Sequence, residues 1–207
     1  MARSKSSHRW LSRQHQDPYV QRAQQQGYRS RSAFKLIEIQ TRDRLLRSGQ
    51  RILDLGAAPG GWSQVARDII GDRGHLIALD LLPMDPLPGV EFIQGDFRDE
   101  TPLAQLIAAL GGEPVDLVLS DMAPNLSGMS AVDQPRSFYL AELALELCAK
   151  VMKPGGSLLV KVFQGEGFDA YLRELRAGFR RVASRKPQAS RPESREIYLL
   201  AQGYNLK

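Results

Sequence analysis

Lys161 interrupts SLLVKVF, a run that should be buried on both faces of a sheet, and a lysine is rarely buried without a reason. Desolvation, or a second cation nearby, would lower its pKa from the unperturbed value of ~10.4 and make it a usable general base. The plain alternative is a strand-end lysine that reaches solvent. Lys35 is a second oddity, because a cation near the first turn of a helix opposes the macrodipole, which argues for a tertiary role. Glu196, opening EIYLLA, has the charge to pair with either lysine, although taken alone it reads as a solubilising charge at a strand edge. Asp121 ends VDLVLSD and begins DMAPN, a position from which it can face both a cofactor and a substrate if its strand lies beside the first one.

A second constellation reads as a small-molecule cradle. In RILDLGAAPGGW, Ile52, Leu53 and Leu55 form a buried strand, and Gly56, Gly60 and Gly61 let the backbone turn tightly and approach a ligand. Asp54 beside that turn suits a cationic or hydroxyl-bearing ligand better than a pyrophosphate. An ordinary strand-to-helix turn and a loose variant of the nicotinamide fingerprint stay open as alternatives. Asp80 closes HLIALD, where a carboxylate accepts hydrogen bonds from both ribose hydroxyls of an adenosine cofactor, without distinguishing a nicotinamide from S-adenosylmethionine. Asp96, in QGDF, either accepts from an adenine amino group or caps a turn. Trp62 is expected to pack against the cradle.

These groups need a scaffold that gathers them. Strands are predicted at 51–55, 75–80, 90–94, 115–120, 157–163 and 196–202, with another near 180–185. Helices are predicted near 62–70, 102–110, 134–152 and 168–177, preceded by one that Ser30 or Ser32 caps and that runs to about Arg47. Such alternation implies an α/β fold with a mainly parallel sheet covered by helices on both faces. Ligands of open sheets bind beyond the carboxyl ends of the strands, and Asp54, Asp80, Asp96, Asp121 and Lys161 all lie at or just past such ends. RKPQASRPESR, from Arg185 to Arg195, is predicted to be an exposed loop.

The 207 residues suffice for one substantial core, divided here into a basic arm over 1–29 and one domain over 30–207. Charge is asymmetric: residues 1–51 carry a balance of +9 and the remainder −4. Arg3, Lys5, Arg9, Arg13, Arg22, Arg29 and Arg31, interleaved with Trp10, Tyr19 and Tyr28, read as a nucleic-acid-binding arm with stacking side chains, or else as a solvated tail. A surface contact with RNA would also account for Lys35. A single cysteine, Cys148, excludes an internal disulfide and a multi-cysteine metal site, and His8, His15 and His75 read as solvated, so no metal is expected. No apolar run is long enough to cross a bilayer and MARSKSSHRW lacks a secretory apolar block, so a cytoplasmic protein without membrane contact is expected.

Taken together, SRSAFKL, DLGAAPGGW, DLLPMDP, QGDFRDE, SDMAPN, KPGGSLLVKVFQGEGF and SREIYL resemble the FtsJ (RrmJ) family of ribose 2′-O-methyltransferases, over nearly the whole chain. The resemblance implies a Rossmann-like, seven-stranded S-adenosylmethionine-dependent methyltransferase fold with a final antiparallel strand inserted in the sheet. It implies a catalytic tetrad of Lys35, Asp121, Lys161 and Glu196, with cofactor contacts at Gly60, Trp62, Asp80, Asp96 and Asp121. It also implies, as substrate, a uridine in the A loop of large-subunit (23S) ribosomal RNA, in an assembled or maturing large ribosomal subunit; a monomer is expected.

Other chemistries fit less well. Pyrimidine C5 methylation needs a cysteine nucleophile, yet Cys148 lies in a predicted amphipathic helix. Methylation of an exocyclic amine commonly places an aromatic residue after a proline-containing turn, whereas Pro124 is followed by Asn125. A nicotinamide oxidoreductase would need a tighter glycine fingerprint. A non-enzymatic RNA-binding ribosome-assembly factor, and a 2′-O-methyltransferase acting on another RNA, are the remaining alternatives.

Overall fold

Apolar, β-branched runs punctuated by glycine produce the strands of one twisted sheet. In the computed structural model, which describes residues 17–124, 129–191 and 194–205, these are β1 (Arg51–Leu55), β2 (His75–Asp80), β3 (Val90–Gln94), β4 (Val115–Ser120), β5 (Met152–Phe163), β6 (Phe179–Arg185) and β7 (Glu196–Tyr204). The order is β3-β2-β1-β4-β5-β7-β6, with β1 to β5 parallel and β7 antiparallel to both its neighbours. β5 begins five residues earlier than the sequence predicts. Met152 pairs with Val115, and the ladder is irregular until Leu117 meets Ser157, so the Lys153 to Gly156 turn is absorbed into the strand as a bulge that exposes Lys153, Pro154 and Gly155 and buries Gly156.

Among the described residues there are six helices: α1 (Pro18–Gln25), which packs on α2, and α2 (Ala33–Asp43), α3 (Gly61–Ile70), α4 (Glu100–Leu110), α5 (Ser130–Val151) and α6 (Phe168–Gly178), which cover the sheet. Leu36 and Ile39 of α2 and Val65 and Ile70 of α3 pack on Ile52, Leu117, Leu159, Tyr198 and Leu200. The opposite face carries Leu53, Val118, Val160 and Leu199 under Leu106, Leu147 and Leu175 of α4, α5 and α6. Alternation along β5 therefore puts Lys161 on the face of Leu159, beneath α2, so the run is apolar because both faces are covered. Cys148 is fully buried in the α5 core, where burial pushes its thiol well up and leaves it inert.

Three expectations change. First, α2 stops at Asp43 rather than near Arg47: Arg44 turns left-handed at φ 49°, and the Gln40 side chain bonds both the amide and the carbonyl of Leu46. That turn drives Leu45 and Leu46 into the core. Ser32 makes no capping bond; its hydroxyl pairs with that of Ser30 at 2.6 Å.

Second, the described part of the basic segment is folded onto the domain. Asp17 caps α1 by accepting from the Tyr19 amide at 3.0 Å, with Pro18 at the first turn. Tyr19 and Tyr28 pack on Phe34 at 5.7 and 5.6 Å between ring centroids, with the Arg22 guanidinium 4.7 Å from the same ring. Arg31 pairs with Asp17 at 2.9 Å and donates to the Ala189 carbonyl at 2.6 Å. Arg3, Lys5, His8, Arg9, Trp10, Arg13 and His15 lie outside the described residues, as does Asn125.

Third, the 185–195 stretch is not simply an exposed loop. Arg185, Ala189 and Ser190 are buried, because Glu38 on α2 accepts from the Gln188 and Ala189 amides and Asp43 accepts two bonds from the Arg185 guanidinium, at 2.6 and 2.7 Å. The polar composition that reads as solvated is consumed by partners on a helix some 140–150 positions away. Among the described residues no helix is long and apolar enough to cross a membrane.

Candidate active site

The insertion of β7 antiparallel to β5 assembles the charged cluster. It sets Tyr198 opposite Lys161 and Glu196 opposite Phe163, so the start of β7 meets the carboxyl end of β5. β4 runs alongside, Ser120 against Val160, and delivers Asp121 to the same rim. The Lys161 ammonium donates to Asp121 Oδ1 at 3.0 Å and to the Asp121 carbonyl at 2.5 Å. Lys35, on α2 above this face, pairs with Glu196 Oε1 at 2.5 Å. Both lysines are nearly enclosed, at 8% and 9% exposure.

Tyr198 joins the two pairs. Its hydroxyl donates to Asp121 Oδ1 at 2.7 Å and its ring lies 5.7 Å from the Lys35 ammonium. Trp62 braces it from below at 5.5 Å, its indole N–H donating to the Ser32 carbonyl at 2.9 Å. Sequence reading missed Tyr198, since a tyrosine in an apolar strand carries no signal until β7 is registered against β5. Burial pushes the Asp121 carboxyl up, but the charges of Lys161 and Lys35 and the bonds from Tyr198 and Lys161 outweigh it and hold the group below its ordinary value. Glu196 is likewise raised by burial and lowered further by Lys35, ending below its ordinary value. Buried pairs of this kind are weak evidence of stability and better evidence of fixed position.

Beside this cluster, a cavity of about 520 Å³ opens at the carboxyl ends of the strands, with Gly56, Asp80, Asp96, Asp121, Met122 and Tyr139 in its lining. Asp80 accepts from the Ala58 amide at 2.9 Å and the Leu82 amide at 2.8 Å, one on each oxygen, which fixes the carboxylate and leaves each oxygen room for a second donor. Asp96 accepts from the backbone and side chain of Arg98 at 2.9 Å, so it caps a turn and faces the cavity at once. Gly56, at φ +72°, is a required glycine, because a Cβ there would stand 2.7 Å from Met122 Cγ. A fixed diol-binding carboxylate, a second carboxylate and the apolar walls of Phe97, Met122 and Leu140 suit an adenosine-containing cofactor. Gly60 and Trp62 fall outside the lining and shape the cradle from beneath.

Asp54 departs from the sequence reading. Strand alternation turns it under α3, fully buried and out of reach of a ligand, where it accepts the Ser63 hydroxyl at 2.6 Å while Oδ1 finds no partner among the described residues. Burial pushes its carboxyl from 3.8 to about 7, the Ser63 bond opposing and the charges of Asp121 and Asp80 adding to the rise. A raised acid contributes stability in full below its unfolded pKa and loses it as pH climbs through the folded one. Asp54→Asn is therefore expected to gain stability relative to wild type, by on the order of 4 kcal/mol between pH 4 and pH 8. Urea unfolding across that range would show it, and parallel curves for the two proteins would refute it.

The β7 insertion and the position of the cradle after β1 define a Rossmann-like methyltransferase, the class that takes its methyl group from S-adenosylmethionine. Fibrillarin from Aeropyrum pernix, solved with S-adenosylmethionine bound, shares the fold at a TM-score of 0.57 and 19% identity, over 84% of this chain and 75% of that one. More particularly, the chain belongs to the FtsJ-like methyltransferase family, whose model matches residues 28–204. It is 61% identical to ribosomal RNA large subunit methyltransferase E of Alkalilimnicola ehrlichii, over 99% of this chain and 98% of the relative. The Pseudomonas aeruginosa protein of the same name is 59% identical over 99% of both chains. A ribosomal RNA methyltransferase from Plasmodium falciparum superposes with a TM-score of 0.75 at 30% identity, covering 86% of this chain and 98% of that one.

Proposed function

We propose that this protein methylates the ribose 2′-oxygen of a uridine in the A loop of large-subunit (23S) ribosomal RNA, acting as a cytoplasmic monomer on the assembled or maturing large subunit. The observation that carries the reading is Lys161, held by Asp121 at the rim of a cavity suited to an adenosine cofactor, with the Lys35–Glu196 pair beside it. The relatives' names supply the large-subunit RNA.

In this reading Asp80 holds the ribose diol of the cofactor and Asp96 the adenine amino group. The bound cofactor supplies a methyl group on a positively charged sulfur, with a neutral thioether as leaving group. Lys161, as the neutral amine left once its ammonium has given a proton to solvent, takes up the proton of the 2′-hydroxyl as its oxygen attacks the methyl carbon. Lys35 and Glu196 orient that hydroxyl, and Asp121 fixes Lys161 in place. Because the leaving group is already good, alignment of nucleophile and methyl is the main contribution asked of the protein.

Mass-spectrometric mapping of ribose methylation in large-subunit RNA, from cells with and without this protein, tests the assignment. Loss of one mark, on an A-loop uridine, is expected. Loss of a mark elsewhere with the A loop unchanged would overturn the substrate, and an unchanged map would favour a non-enzymatic assembly factor.

A further inference from the structure

The sequence groups Arg29 with a nucleic-acid-binding arm, but its half-buried side chain bonds back onto the protein's own loops at the surface. Nη1 donates to the Pro59 carbonyl at 3.3 Å and to the Asp85 carbonyl at 2.7 Å, and Nη2 donates to the Pro86 carbonyl at 2.7 Å. Two different loops are thereby tied to one side chain. The loop after β1 contributes Gly56 and Ala58 to the cavity, and the loop after β2 contributes Leu81 and Leu82. The same segment is sewn to α3, since Gln64 accepts from the Arg29 amide at 2.7 Å and donates to the Gly27 carbonyl at 3.0 Å.

The seat is tight. A Cβ on Gly60 would stand 3.0 Å from Arg29 Nη1 and 3.0 Å from the Met84 sulfur, so the glycine at φ +108° makes room for the guanidinium as well as for the turn. Three carbonyls on two loops call for a planar fork of donors; an ammonium on a flexible stem cannot reproduce that span. Bonds from an ionised donor are roughly twice as strong as neutral ones. A guanidinium engaged in this way is poorly placed to anchor a phosphate.

We propose that Arg29 is a positioning residue for the cofactor, clamping the two loops that wall the cavity so that the methyl donor binds a cradle already in shape; this rests on the reading that the cavity holds S-adenosylmethionine. Preorganised loops spare the ligand the cost of ordering them, so losing the clamp weakens cofactor affinity. Arg29 bonds to the cradle loops and α3, remote in function from proton removal at Lys161, so the defect appears in cofactor affinity rather than in the rate at saturation.

The test uses the full chain, in which wild type, Arg29→Ala and Arg29→Lys are titrated calorimetrically with S-adenosylmethionine and assayed on large subunits lacking the methyl mark. Both variants are expected to raise the cofactor Kd about tenfold, the effect of losing one to two charge-assisted bonds. The kcat at saturating cofactor and the KM for subunits should stay within about twofold of wild type. Arg29→Lys keeps the charge and loses the fork, so a full rescue by lysine, or a raised subunit KM with unchanged cofactor Kd, would make Arg29 a phosphate contact and overturn the proposal. Should thermal unfolding show that Arg29→Ala is not folded, Gln64→Leu, which cuts the stitch to α3, is expected to weaken cofactor binding several-fold, and an unchanged Kd there would overturn it. A wild-type protein that fails to bind S-adenosylmethionine would overturn the cofactor reading itself and the proposal with it.

Discussion

Lys161→Ala is expected to lower the rate of methyl transfer by ~10²- to 10⁴-fold, the usual contribution of a positioned proton acceptor, while S-adenosylmethionine binds much as it does to wild type. The separation follows from geometry. Lys161 projects from β5 onto the face beneath α2 and is held by the carbonyl and carboxylate of Asp121, whereas the cavity lining is built from the ends of β1 to β4 and from α5. Removing the ammonium leaves Asp121 with the Tyr198 hydroxyl and so does not empty the cluster of donors. Single-turnover measurements with saturating cofactor isolate the step from product release. A Lys161→Ala protein with undiminished turnover would end its assignment as the proton acceptor. Lys161→Arg is the charge-preserving control, and it should stay impaired, because a guanidinium is always protonated and cannot accept the proton.

Asp121→Ala should damage both stability and activity, making it the more severe structural lesion. It removes the acceptor shared by Lys161 and Tyr198, two groups that are nearly enclosed. Breaking a buried pair by deleting one partner typically costs ~3–5 kcal/mol, and the remaining exposure of this pair places the effect toward the lower end. Urea unfolding at neutral pH reads that loss, and a stability equal to wild type would show that the pair is not buried in solution. The pH dependence adds a second signature. Asp121 and Glu196 have folded-state pKa values below their ordinary 3.8 and 4.5, so the stability they contribute is present above those values and is lost as pH falls through the depressed ones. Asp121→Ala should therefore lose less stability than wild type on acidification below about pH 4. Asp54 acts in the opposite sense and in a higher window, between 3.8 and about 7, so the two effects separate along one titration.

Strand periodicity made most of the sheet legible in the sequence. Apolar runs bounded by glycine turns located all seven strands, because parallel strands buried on both faces have little choice of composition. Lys161 was visible for the same reason, as a charge in a run that permits none. What misled was polarity taken as exposure. RKPQASRPESR and the described end of the basic segment are polar, yet Glu38, Asp43 and Asp17 supply their partners from distant positions. Asp54 illustrates the converse, since a carboxylate at a strand end looks available until alternation turns it under α3.

By itself the sequence determined the class of scaffold, the cradle after β1 and the residue types at the strand ends, since these depend on local period and turn chemistry. The pairing of Lys35 with Glu196 and of Lys161 with Asp121, the bridging place of Tyr198 and the bonds of Arg29 to the cradle loops were decided only by tertiary structure. Each depends on the register of antiparallel β7 against β5, or on where a loop from another strand comes to rest. Those are long-range choices that no local window contains.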